Sequence, residues 1–410
     1  MTQKTILVAG TYDTKDDELH YLADVIRAQG GHVLSMDVSV LGDPSKPTDV
    51  SKHDVAEAGG SSIQQAIDSG DENTAMQIMA RGSAAKALAL YRAGQIDGVI
   101  VLGGTMGTDL ALDLCAALPV GVPKYVVSTV SFSPLIPPER LPSDVQMILW
   151  AGGLFGLNSI CKASLSQAAG AVLGAARAVE PPKRDRPLIG MTSFGKTVLR
   201  YMVTLKPALE ARGFEVAVFH ATGMGGRAFE SLAAEGAFAA VFDFAPQEVS
   251  NHLFGGLSAG SDRMTNAGKS GTPQLIAPGC YDLVDFVGWQ DTPRQLVGRE
   301  THAHNRLLTS AMLEAGERRA VARTICDKLS GATAPVALLL PEGGCNEWDR
   351  PGGELHDGDG LAAFCEEIKT VCPENVALHA MTEHINDAAF CDRALSIFDD
   401  WVASGVVSTK

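Results

Sequence analysis

The chain repeats its own opening. Residues Ile6-Leu-Val-Ala-Gly-Thr-Tyr-Asp-Thr-Lys15 lead into a helical pattern ending near Gln29, then Gly30-Gly31 and an apolar-rich run over 32–37. Near the middle, Leu188-Ile-Gly-Met-Thr-Ser-Phe-Gly-Lys-Thr197 leads into a second helical pattern ending near Arg212, then Gly213 and the apolar run 214–219. Each copy reads as strand, glycine-containing turn, amphipathic helix, glycine stop and strand. A unit of that order joins parallel strands through a right-handed crossover helix. The duplication predicts two similar α/β halves, 1–178 and 188–410, joined by the proline- and charge-rich stretch 179–187.

A chain of 410 residues exceeds what one hydrophobic core commonly serves, in keeping with two domains. Apolar residues make up 46%, as in a globular α/β protein rather than a disordered one. No apolar run reaches membrane-spanning length, and the first 30 residues lack a basic region followed by a cleavage site, so the cytoplasm is the expected compartment. A formal charge of -15 argues against nucleic acid as a general partner, because phosphate backbones are bound by basic surfaces. The eight cysteines are scattered with no C-x-x-C pair, which reads as buried reduced thiols.

Open parallel sheets bind ligands at the carboxyl ends of their strands. Two turns of the first half fall there. Gly10-Thr-Tyr-Asp-Thr-Lys15 offers backbone amides for an anion, and Asp13 for a metal or a ribose hydroxyl; the bland alternative is N-capping of the helix by Asp13 or Thr14. Gly103-Gly-Thr-Met-Gly-Thr108 follows the apolar run 96–102; its glycines permit close backbone approach, and Thr105 and Thr108 add hydroxyls. A third strand, 124–129, ends in Ser128 and Thr129. Residues 41–62 read as a polar surface excursion, and the proline-dense stretch 131–143 as a loop over the same edge.

The second half contains a formal match to the phosphate-loop pattern at Gly190, Gly195, Lys196 and Thr197, but alignment on the first copy puts Gly190 inside a strand. Arg263 and Lys269 are the only cations in a glycine-rich run over 254–271, where they would clamp phosphate or carboxylate; the bland alternative is a flexible surface loop. His302 and His304 are two apart, and the apolar spacing at 307–313 reads as helix, on which they would diverge. His384 and Asp387 follow the last strand pattern and, with His304, make a candidate acid/base or metal set; the alternative is capping where a strand turns into a helix.

Taken jointly, several pieces resemble the tomato mosaic virus resistance protein-like ATP-binding domain family. They are Gly10-Thr-Tyr-Asp-Thr-Lys15 with Glu18, Asp97-Gly-Val, Gly103-Gly-Thr with Gly107-Thr108, Val127-Ser-Thr129, Gly152-Gly-Leu with Gly156-Leu-Asn158, Leu257-Ser-Ala-Gly with Asp262-Arg263, His304-Asn305, Pro351-Gly-Gly353 and His384-Ile-Asn-Asp387. The resemblance implies an α/β fold of two Rossmann-like subdomains, each a mostly parallel sheet flanked by helices. It also implies nucleotide binding with Mg and assembly into homodimers or larger homo-oligomers. Lys196-Thr197 and Glu342-Gly-Gly344 depart from the family pattern.

The leading expectation is an ATP- and Mg-binding protein. Gly10, Thr11, Thr14, Gly103, Gly104, Thr105 and Thr108 would face phosphates, Asp13 would hold the metal, Lys15 would offset charge, and Ser128 and Thr129 would close the pocket. A second expectation is an enzyme for a small phosphorylated or carboxylated metabolite in the cleft between the halves, with Arg263 on the anion and His304, His384 and Asp387 as the chemical groups. A third is an interaction module whose oligomeric state is set by nucleotide.

Overall fold

The computed structural model describes residues 3–150, 156–182 and 185–409. Gly152-Gly-Leu of the family resemblance, and residues 183–184 of the expected joining stretch, lie outside the described residues. The chain forms two compact units, Met1–Lys183 and Arg184–Lys410. Both are α/β, with a parallel sheet flanked by helices.

The N-terminal unit runs β1 (Thr5–Gly10), α1 (Asp16–Ala28), β2 (His32–Asp37), α2 (Lys52–Ala58), α3 (Ile63–Asp68), α4 (Glu72–Arg92), β3 (Gly98–Gly103), α5 (Thr105–Ala116), β4 (Lys124–Ser128), β5 (Gln146–Leu149) and α6 (Ser159–Ala178). Its five strands pair in the order β2-β1-β3-β4-β5, every pair parallel. β3 and β4 are buried along their whole length, which is why they read as unbroken apolar runs. Side chains alternate between two layers. Leu7, Ala9, Val99 and Val101 pack with α2 to α5, while Ile6, Val8 and Ile100 pack with α1 and α6.

Local chemistry sets the helix ends. Asp16, Asp17 and Glu18 place acids in the first turn of α1, favourable to the helix dipole. Ser51 with Asp54, and Ser62 with Gln65, form capping boxes for α2 and α3. The expected polar excursion over 41–62 therefore contains a helix, which packs so closely on α4 that a Cβ on Gly82 would lie 1.8 Å from the Val55 carbonyl oxygen. The proline-dense stretch is followed by β5, an edge strand that the sequence pattern did not mark.

The C-terminal unit runs β6 (Leu188–Ser193), α7 (Gly195–Ala211), β7 (Glu215–His220), α8 (Met224–Ala234), β8 (Ala240–Asp243), α9 (Gln247–Phe254), α10 (Asn266–Lys269), β9 (Gln274–Ile276), β10 (Leu283–Val287), β11 (Thr301–Ala303), β12 (Leu308–Met312), α11 (Ala315–Ser330), β13 (Val336–Pro341), α12 (Gly358–Val371), β14 (Val376–Met381) and α13 (Ala388–Ala403). Six strands form a parallel sheet in the order β14-β13-β9-β8-β6-β7. In both sheets the first strand of the unit lies between its second and third, so the repeat seen in sequence extends to topology. Gly190 lies inside β6, where a Cβ would stand 3.0 Å from the rings of Phe229 and Phe238. The phosphate-loop match is thus split by a strand.

A separate antiparallel sheet, β10-β12-β11, corrects the helix expected around His302 and His304. These residues belong to a hairpin, and their rings lie 4.7 Å apart instead of diverging.

Candidate functional site

Gly10 at the end of β1 is paired with Leu102 of β3, so the turns that follow the two strands stand side by side. The strand order reverses there, with β2 beyond β1 on one side and β4 beyond β3 on the other, which is the position at which open α/β sheets accept ligands.

The first turn is fixed from β2. Asp37 accepts from the Tyr12 amide at 3.3 Å and from the Ser39 hydroxyl at 2.5 Å, and Ser39 Oγ in turn accepts from the Asp13 amide at 3.0 Å. Burial raises the Asp37 carboxyl above its ordinary range, opposed by the Ser39 and Tyr12 hydrogen bonds. Lys52 holds the neighbouring loop through the Gly42 carbonyl at 2.8 Å and Asp43 at 2.8 Å. Asp13 Oδ2 accepts from the Gly42 amide at 3.2 Å. Asp13 Oδ1 is buried without a hydrogen-bond partner among the described residues. Sequence reading missed Asp37, Ser39 and Lys52, although an acid at the end of the second strand was the available signal.

The second turn is glycine by necessity: a Cβ on Gly103 would meet the Gly107 backbone at 2.6 Å. Gly104 caps α5 without a side-chain bond, and the first amide used within the helix is that of Thr108, which bonds the Gly104 carbonyl at 2.8 Å. The amides of Thr105, Met106 and Gly107 therefore stand free of the helix ladder.

A cavity of about 610 Å³ lies between these turns. It brings together Thr11, Asp13, Thr14 and Lys15 with Gly103, Gly104 and Thr105. The rest of its lining mixes apolar side chains, Val38, Val40, Ala66, Ile67, Ala75 and Met76, with the carboxylates of Asp71 and Glu72. Lys15 forms no ion pair among the described residues.

Other expected residues have other work. Gly10 is buried, and a Cβ there would stand 2.9 Å from Leu19, so it serves the packing of α1 on β1. The Thr108 and Ser128 hydroxyls face each other at 2.6 Å, both residues buried, and Thr108 Oγ1 also bonds the Gly104 carbonyl at 2.6 Å. They tie the turn to β4 rather than facing the cavity. Thr129 bonds the Gly103 carbonyl through its amide at 3.4 Å and does not line the cavity.

Arg263 is a correction. Its guanidinium is wholly buried and bound to Asp243 at 2.5 and 2.7 Å, Glu248 at 2.7 Å and Glu230 at 3.3 Å. No donor is left for a ligand's phosphate or carboxylate. Glu248 also accepts from the amides of Gly223 and Gly226 at 2.5 and 3.2 Å, so the start of α8 already carries an internal anion.

His384 and Asp387 are likewise structural. His384 is buried, with Nε2 2.8 Å from Asp349 and Nδ1 accepting the Asn386 amide at 3.0 Å, which occupies both ring nitrogens. Asp387 accepts from the His384 amide at 2.9 Å and pairs with Arg350 at 2.7 Å; that bond first, then the amide, hold its carboxyl below the ordinary range. His304 instead leads a hydrogen-bonded chain. Its Nε2 lies 2.8 Å from Ser310 Oγ, which donates to the buried Asp285. His302, Trp348 and Phe194 pack around its ring. Among the described residues, no group of three or more His, Cys, Asp or Glu is placed to hold a metal ion, and no helix is long and apolar enough to cross a membrane.

The profile of the N-terminal domain of Uncharacterised protein family (UPF0261) matches residues 4–181, and that of its C-terminal domain matches 186–402. A UPF0261 protein of Brucella melitensis biotype 1 is 54% identical over 98% of this chain and 96% of its own length. The ToMV resistance protein Tm-1 of Solanum lycopersicum is 28% identical over 96% of this chain and 55% of its own. Among solved structures, a Streptomyces glycosyltransferase complexed with thymidine diphosphate aligns with 67% of this chain and 82% of its own at 17% identity. Its TM-score of 0.18 carries no argument about this chain.

Proposed function

The chain belongs to UPF0261, an uncharacterised protein family, and we propose that its N-terminal unit binds a nucleotide with Mg, ATP first among them, at the paired turns after β1 and β3. One observation carries the reading. The cavity joins turns that carry free amides and Lys15 to the apolar side chains of Val38, Val40, Ala66, Ile67, Ala75 and Met76, with Asp71 and Glu72 also in its lining, and a nucleotide likewise joins phosphates to a base. Phosphate oxygens would take the free amides of α5 and the ammonium of Lys15. The unpartnered Oδ1 of Asp13 fits a cation, directly or through water, and Mg there would neutralise phosphate charge. Under this reading the protein works in the cytoplasm as a homo-oligomer.

Isothermal titration of ATP into the whole chain, with and without Mg, tests it. Micromolar binding is expected, weakened about 10-fold or more in Lys15→Met, since a charge-assisted contact is worth roughly 1.5–3 kcal/mol. Absence of binding at millimolar ATP overturns the reading.

The His304 chain favours a second reading, an enzyme for a small phosphorylated or carboxylated metabolite. Burial, then the nearby His302 and His220, push the His304 imidazole down to about 4, so at neutral pH it is an uncharged base backed by Ser310 and Asp285. Because its folded pKa lies below the ordinary value of about 6.5, the stability it contributes is complete above that pH and is lost as pH falls towards 4. An NMR titration should place the His304 midpoint well below those of exposed histidines; an ordinary midpoint removes the reading's support.

A further inference from the structure

A second hollow, of about 500 Å³, adjoins the cavity after β1 and β3. The two share Asp71, Glu72 and Met76 of the α4 start and Thr105 and Met106 of the α5 start, so these residues form a ridge between two lobes. The free amides of Thr105 and Met106 lie on that ridge. An anionic group held by them would have one lobe on each side of it. A nucleoside triphosphate held there would occupy the first lobe and leave the second empty, since its phosphates are terminal and only one end carries an organic group.

The second lobe differs from the first in chemistry. Val130, Leu135, Ile136 and Pro137 supply apolar surface, and Asp109 adds a carboxylate to those of Asp71 and Glu72 on the ridge. Its one cation, Arg140, is already matched by Asp109 at 2.7 Å and Asp113 at 3.2 Å. Positive charge to spare for another phosphate is therefore lacking, while carboxylate oxygens are suited to accept from hydroxyl groups. A carboxylate in an α/β site commonly recognises sugar hydroxyls in this way.

Resting on the nucleotide reading above, we infer that the ligand is a two-armed nucleoside diphosphate: a base in the apolar lobe, the diphosphate on the α5 start, and a hydroxylated second group, a sugar or nucleoside, in the lobe beside Arg140.

The test is titration of the whole chain with ADP, UDP, ADP-ribose and UDP-glucose. One conjugate is expected to bind at least about 10-fold more tightly than its parent diphosphate, a gain of roughly 1.4 kcal/mol. Ile136→Trp, at a partly exposed position of the second lobe, should remove that gain and leave the parent diphosphate's affinity unchanged. Val130→Trp serves the same purpose should Ile136→Trp fold poorly. Equal affinity of conjugate and parent, or a gain that survives both tryptophans, overturns this inference alone. Failure of every diphosphate to bind overturns the nucleotide reading together with it.

Discussion

Replacing Arg263 with methionine is expected to destabilise the C-terminal unit by about 3–5 kcal/mol, the usual cost of removing one partner from a buried ion cluster. Among the described residues the guanidinium is the only cation bonded to Asp243, Glu248 and Glu230, all nearly without exposure. Burial raises the carboxyls of Glu230 and Glu248, and the Arg263 charge is what chiefly opposes it. Without the arginine, the carboxylates must take up protons or draw in water, and the loop that carries Arg263 loses its tie to β8. With a urea m-value of roughly 2 kcal/mol/M, the unfolding midpoint should fall by about 1.5–2.5 M. Adding Asp243→Asn, Glu230→Gln and Glu248→Gln to Arg263→Met should recover part of the loss, because the repulsion goes with the charges. A midpoint shift under about 0.5 M would show that Arg263 is not the keystone of the C-terminal unit and would return it to consideration as a ligand contact.

Arg263 also shows where sequence reading loses information. A cation in a glycine-rich run at a sheet edge has the composition of an anion clamp. Whether it faces solvent or the interior depends on Glu230, Asp243 and Glu248, which come from α8, β8 and α9, and no spacing in the sequence announces their convergence. The same holds for Thr108 and Ser128. A hydroxyl after a glycine turn suggests a phosphate contact, yet the pairing of Gly103 with Ser128 in the β3/β4 register turns the two hydroxyls towards each other.

Other parts were legible because their physics is local. Apolar runs that close on glycine or serine marked the strands β1, β3 and β4, and the internal repeat pointed to two α/β units; the order of strands in each sheet was not legible. The turns at Gly10 and Gly103 could be placed at the same edge because both follow such strands. The antiparallel sheet was not legible: Leu307, Leu308, Met312 and Leu313 are spaced as on a helix face, while strand pairing with β10 and β11 decides the outcome. That tertiary pairing is also what sets His304 against Ser310 and Asp285, a chain of contacts invisible in the spacing of the three residues.

Gly104→Val is expected to lower nucleotide affinity by about 100-fold or more while leaving the fold intact. Gly104 caps α5 with φ -81° and ψ -153°, an extended backbone that an L-residue can adopt, so the substitution requires no change of turn. Gly104 itself lines the cavity with Thr105 and Met106, so a valine there is expected to add bulk to that lining. Each amide bond to a charged phosphate is worth roughly 1.5–3 kcal/mol, so denying two of them suffices for the loss. Gly103→Ala is the contrasting variant. Its Cβ would collide with the Gly107 backbone at 2.6 Å, so it should damage the turn itself and lower stability as well as affinity. The pair separates two duties of a glycine turn: Gly103 closes the chain path, and Gly104, under the nucleotide reading, leaves room for the ligand. Unchanged nucleotide affinity in a folded Gly104→Val protein would place the phosphates away from the α5 start and remove the basis for the nucleotide reading.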